Sequence, residues 1–288
     1  MLIRHVESAD QNQTDENRFI AYDDVGLELG RAEVSETQRD MLFPSRPHHL
    51  QIQVDCEDEA LYALFGAATA RAMQLARLMP DTPARIFTEV SPKDIERIER
   101  LQSQGYKDDD GIMRMTRSEI RKIPFIKPIP SGLVVIKDYL IDELESRFFI
   151  ERYNALFATN FDDTWLAQLK KKKNFCRFLV AAPDGLAGEL LIWSEDACGV
   201  VGVVHTPPHW QRKGIASHLL EQALQYWAER GIKSACFDVW LRLRGAMQLA
   251  STCGFRPDRP LMKYPGIDVE PHNPPPRARK QPEIPRSF

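Results

Sequence analysis

The sequence predicts an α/β protein built from two tandem copies of one unit, the first of them degenerate. Three observations carry that reading. The chain has 288 residues, room for two domains of ordinary size. It repeats itself: "RIFTEVSPKDIERIERLQSQGY" near residue 90 and "SACFDVWLRLRGAMQLASTCGF" near residue 239 both read as strand, short helix, then Gly-aromatic. The spacing from Val90 to Gly105 recurs without a gap from Val239 to Gly254. And "VVGVVHTPPHWQRKGIASHLL" is a Val-rich strand, a loop opened by two prolines, then apolar residues at helical spacing.

The elements follow in order. In the first copy, residues 1–117, "VGLELGRAEVSE" matches "DGLAGELLIWSE" of the second in order and position, and "IMRM" at 112–115 matches "LMKY" at 261–264. Two helices expected early in the second copy have no counterpart here, since Arg4 to Phe19 is too short and too polar. Residues 118–132, with three prolines, read as an extended linker. The second copy, 133–265, opens with the strand "LVVIKDYLI" and the helices "DELESRFFIERYNALFATN" and "DDTWLAQLKKKK". Strands follow at 175–182, 187–193 and 198–206, a long helix at about 212–230, a strand at 234–240, a helix at about 243–252 and a last strand at about 259–264. Residues 266–288 are Pro-rich and read as a mobile or draped tail.

Composition narrows the class. Apolar residues make up 43% and charged residues 27%, enough to bury real cores. A formal net charge of −3 provides no general pull toward nucleic acid or an anionic membrane. The five cysteines are odd in number and never spaced CxxC, so buried thiols are expected, with neither a disulfide frame nor a metal site. With no signal-like or membrane-length apolar run, the expected setting is cytoplasmic.

The loop and helix at 205–220 carry the chemistry. A helix start exposes N–H groups without intrahelical partners, and these with the macrodipole attract an anion, typically a phosphate. Gly214 has no Cβ to keep such a group away, Ala216 is small, and Arg212 and Lys213 add charge. The pattern Gln211-x-x-Gly214-x-Ala216 after a Val-rich strand resembles the acyl-CoA signature of the GNAT acetyltransferases, and Ala246 with Gly254-Phe255 resembles their later A…GF pattern. The resemblance implies two tandem domains, each a mixed sheet flanked by helices, with the sheet splayed between its fourth and fifth strands. It implies that acetyl-CoA, or another acyl-CoA, enters that splay as co-substrate. Backbone groups of Val204 and Thr206 would pair with its pantetheine arm. Gln211, Arg212, Lys213, Gly214, Ile215, Ala216 and Ser217 would seat its diphosphate. In the first copy Tyr62, Phe65 and Ala67 stand at the offset of Gln211, Gly214 and Ala216, beside four acids in "DCEDE", so one cofactor site is expected, in the second copy.

Acyl transfer to an amine needs a neutral nucleophile, a donor for the developing oxyanion and a proton for the leaving thiolate. The tyrosine the family often uses, four residues before GF, is Ala250 here, and its asparagine seven residues earlier is Leu243. Tyr264 is the candidate substitute acid. Glu189, among apolar residues in "AGELLIW", and Asp238, in "CFDVW", are candidate bases; a Glu189 facing the cleft would have a raised pKa. His205 suits proton transfer by its ordinary pKa, but alternation puts it on the opposite side from Val204. The expected function is an N-acetyltransferase acting by direct transfer on a small amine or amino-acid-like acceptor. The alternatives are a non-catalytic acyl-CoA-binding protein of the same fold and a protein or peptide N-acetyltransferase.

Overall fold

The computed structural model describes residues 1–7, 14–120 and 126–271. In chain order the elements are β1 (Leu2–Glu7), β2 (Thr14–Tyr22), β3 (Glu28–Gln38), β4 (His48–Cys56), α1 (Asp58–Leu78), β5 (Ala84–Thr88), α2 (Ile95–Ser103), β6 (Gly111–Arg117), β7 (Val134–Asp138), α3 (Glu143–Phe157) and α4 (Asp163–Lys170). Then come β8 (Lys173–Ala182), β9 (Gly185–Glu195), β10 (Cys198–His205), α5 (Ile215–Ala228), β11 (Ser234–Trp240), α6 (Arg244–Thr252), β12 (Arg256–Lys263) and β13 (Gly266–Val269). The chain makes two compact units: Met1–Glu89 joined by the segment that starts at Gly266, and Val90–Pro265.

The first unit holds a sheet of order β1-β2-β3-β4-β5-β13, with β4 and β5 parallel and the other neighbours antiparallel. On α1, Leu64, Ala68 and Ala72 recur every fourth residue and are fully buried, as are Leu50 and Ile52 of β4. Only six residues separate β1 from β2, so this copy has no room there for the paired helices of the second.

The second unit holds a sheet of order β12-β6-β11-β10-β9-β8-β7, in which β10 and β11 are parallel. On one face Leu219, Leu220, Ala223 and Trp227 of α5 pack with Leu190 and Ile192 of β9. On the other, Phe149 and Ile150 of α3 and Leu166 of α4 pack with Leu191 and Val203. Both helices start where an aspartate caps them: Asp142 accepts from the Glu145 N–H at 2.9 Å and Asp162 from the Trp165 N–H at 3.0 Å.

The compact units do not follow the boundaries expected from the repeat. β6, assigned to the first copy by order, lies between β11 and β12 in the second unit's sheet, where its Met115 is fully buried. β13, expected to be tail, lies beside β5 in the first unit. A strand goes where an edge offers backbone partners and its side chains find a matching core; closeness in sequence decides neither. On β13 the anchor is ionic: Asp268 meets Arg85 at 3.0 Å and Arg46 at 3.3 Å, and Arg46 also bonds the Val269 carbonyl. The described part of the 118–132 segment is packed as well. The Ile120 N–H donates to Lys233 O, the Lys127 N–H to the Glu221 carboxylate, and Ile129 lies against the second core. Residues 121–125 and the rest of the expected tail, 272–288, lie outside the described residues.

Candidate active site

The parallel pairing of β10 with β11 runs only from Cys198↔Ser234 to Val201↔Phe237. Beyond it β10 continues against β9 as far as His205↔Glu189, while β11 continues against β6 to Trp240↔Ile112. The sheet therefore opens between these two strands, with a register shift in β10 between Val201 and Val203 at the fork.

The chain leaves β10 through Pro207, makes one tight turn at Pro208–Trp210, and enters α5 with Arg212 at φ +64° and Gly214 at φ +83°. Two left-handed residues so close make a sharp bend in the chain just before the helix. Gly214 caps α5 without a side-chain hydrogen bond, so the N–H groups of Ile215, Ala216 and Ser217 face the loop with no capping side chain. A methyl group on Gly214 would meet nothing within 4 Å, so the space over this helix start is open. Gly188 has the opposite reason to be glycine: a methyl group there would lie 2.6 Å from Ile215 Cγ2, so its absence lets α5 start against β9. The Gln211 side chain donates to Thr206 O at 3.1 Å and ties the two ends of the loop.

A cavity of about 510 Å³ sits at this helix start. Eight of the nine residues expected to seat the cofactor line it: Val204, Thr206, Gln211, Arg212, Gly214, Ile215, Ala216 and Ser217. Lys213 does not; its Nζ lies over the Trp210 ring at 4.3 Å. Thr206 Oγ1 and Trp210 Nε1 on the cavity wall are shielded from solvent with no hydrogen-bond partner. The far wall is α6, through Gly245, Ala246, Gln248, Leu249 and Thr252. Of these the sequence pointed only to Ala246; Gly245, Gln248, Leu249 and Thr252 lie at i, i+3, i+4 and i+7 and so share one face of α6.

None of the three candidate catalytic residues lines this cavity. Glu189 is buried, but its surroundings are not the apolar ones expected. Arg152 reaches it with two hydrogen bonds, 3.3 and 3.2 Å, and Arg177 lies 3.7 Å away. These guanidiniums come from α3 and β8, and local apolar neighbours in sequence say nothing about them. Asp238 is exposed and bound at both oxygens by Arg114, each at 2.7 Å, which holds Arg114 above the ordinary arginine range. The Tyr264 ring stands edge-on to Trp240 at 6.2 Å, and its N–H donates to Asp110 O. Ala250 is fully buried in the core. His205 lies beside Glu189; burial pushes its pKa below the ordinary histidine value, Arg152 adds to that, and Glu189 opposes it. Burial also pushes the thiols of Cys176 and Cys236 up to about 12 and that of Cys253 to about 11, which leaves them protonated.

The first unit has a different arrangement at the matching place. β4 ends at Cys56 and α1 begins at Asp58, with no loop between them. Tyr62, Phe65 and Ala67 therefore lie inside the helix. Two turns of α1 stand where the second unit has its loop, and the α1 start carries Asp58 and Glu59.

Residues 138–255 match the acetyltransferase (GNAT) family. No curated protein matches the chain. Among solved structures, a GCN5-related N-acetyltransferase from Sphaerobacter thermophilus is 15% identical with a TM-score of 0.50, covering 92% of this chain and 84% of its own. A probable N-acyltransferase from Enterococcus faecalis is 11% identical with a TM-score of 0.52, covering 86% of this chain and 61% of its own. At such identities the likeness is one of fold. No described helix is long and apolar enough to cross a membrane.

Proposed function

Residues 138–255 carry a GNAT-family domain, and from that premise we propose that the chain is an acyl-CoA-dependent N-acyltransferase, using acetyl-CoA on a small amine or amino-acid-like acceptor. The observation that carries this is the cavity at the start of α5. Uncapped N–H groups, open space over Gly214 and the Arg212 side chain suit a diphosphate. The unpartnered Thr206 hydroxyl and Trp210 indole N–H are polar atoms that a ligand in the cavity would satisfy. The edge of β10 beyond Val201, left without a β11 partner, suits the amide groups of a pantetheine arm. Bound acyl-CoA supplies an acyl group activated as a thioester. We further propose that acetyl-CoA is held only in the second unit, because α1 fills the matching place in the first with helix and two acids.

Ala250 cannot donate a proton, so Tyr264 is the proposed donor to the leaving sulfur. Tyr264→Phe should lower turnover about 10²-fold. The same absence of a hydroxyl at Ala250 favours one other reading, a non-catalytic acyl-CoA-binding protein. Calorimetry with acetyl-CoA, followed by thiol detection of free CoA across a panel of amines, separates the two. One site per chain and CoA release with a subset of amines are expected. Binding without release under any amine selects the binding protein, and no binding at all overturns both.

A further inference from the structure

Arg152 holds Glu189 and Arg114 holds Asp238, so neither carboxylate is free to take a proton at the open edge. His205 is the last residue of β10, directly across from Glu189 in the β9 register. Val204 lines the cavity on the α5 side, so alternation puts His205 on the face that carries α3. There it faces Glu189 across the β9 register, and Arg152 of α3 and Arg177 of β8 both close on Glu189. Across the opening, alternation on β11 puts Asp238 on this face too, with its carboxylate held by Arg114. His205 is half-buried and stands on the part of β10 that has left β11, at the opening of the sheet.

We propose that His205 accepts the proton of the acceptor amine, and that Glu189, fixed by Arg152 and Arg177, positions the His205 ring instead of acting as the base itself. This rests on the acyltransferase reading given above. His205 takes one proton from nitrogen as the nitrogen lone pair forms the new C–N bond. The thioester C–S bond breaks with its electron pair on sulfur, the sulfur receives one proton, and His205 returns its own to solvent, so no net proton is consumed. The chemistry asks for an imidazole that is neutral at neutral pH. Burial and Arg152 favour that form, while Glu189 keeps the ring basic enough to take a proton.

Two variants and two readouts test this in the full chain, with acetyl-CoA and one accepted primary amine. His205→Gln should lower kcat about 10²- to 10⁴-fold and abolish the acidic limb of the kcat/KM–pH profile, with acetyl-CoA affinity by calorimetry unchanged. Glu189→Gln removes the charge that raises the His205 pKa, so the imidazole signal followed by NMR should titrate at lower pH than in wild type, and the acidic limb should move with it. Should Glu189→Gln fail to fold, His205→Gln decides alone, since a half-buried edge residue tolerates an isostere. A His205→Gln enzyme with wild-type rate and limb overturns the assignment and leaves the acyltransferase reading standing. A wild type that binds acetyl-CoA but releases CoA to no amine overturns both.

Discussion

At Gly214 the backbone alone sets the residue type. With φ at +83° and nothing within 4 Å of a built Cβ, a side chain there costs about 1–2 kcal/mol of conformational strain and no clash. Gly214→Glu should therefore leave thermal unfolding within several degrees of wild type, yet weaken acetyl-CoA at least ~100-fold by calorimetry, because its carboxylate would occupy the helix start. Unchanged affinity in the folded variant would remove the site from α5. Ala250 is the contrasting case. It is fully buried, so Ala250→Tyr, though it would restore the residue the family resemblance expects, should cost about 1–3 kcal/mol or more in urea unfolding. A variant as stable as wild type would mean that the space beside α6 is open. The cavity-lining residues at the start of α5 were legible in the sequence because a glycine, a loop and a helix start are local facts. The partners of the acidic candidates were not: Arg152 is 37 positions from Glu189 and Arg114 is 124 from Asp238.

Elements were read well wherever one period dominated. The long helix was expected at about 212–230 and runs from Ile215 to Ala228; its late start comes from the turn at Pro208–Trp210 and the left-handed Arg212 and Gly214. In "DCEDEALYALF" the helix α1 follows the strand directly, where the second unit has a loop, so an ungapped repeat sets helix positions against loop positions. β13 was missed because four residues in a Pro-rich context show no period. What places it is charge. Arg85 is 1% exposed and meets Asp268, which Arg46 also holds. Asp268→Ala takes that carboxylate from a buried guanidinium, and losses of this kind run to about 3 kcal/mol. The urea midpoint should fall accordingly, and the amides of Ile267 and Ile86, facing each other across β13 and β5, should exchange faster. Unaltered exchange at both would show that backbone pairing alone holds the strand.

For the whole molecule, the repeat announced two units, but connectivity divides them differently. The chain passes from the first unit to the second at Val90, well before the first copy ends, and returns at Gly266. A fragment cut at the repeat boundary, residues 133–265, would lack β6. In the full chain β6 joins β11 to β12, pairing Asp238 with Arg114 and Pro257 with Met115. Without it both strands lose their shared partner and the core loses the fully buried Met115 side chain. A fragment of residues 90–265 keeps all seven strands of the second sheet. The longer fragment should unfold in one cooperative transition and bind acetyl-CoA as the full chain does. The shorter should show neither a cooperative transition nor binding. The comparison isolates the strand exchange, because both fragments keep the whole cavity wall from Val204 to Thr252. If 133–265 unfolds cooperatively with the stability of 90–265, β6 is an accessory to the second unit, and the boundary drawn from the repeat is the physical one.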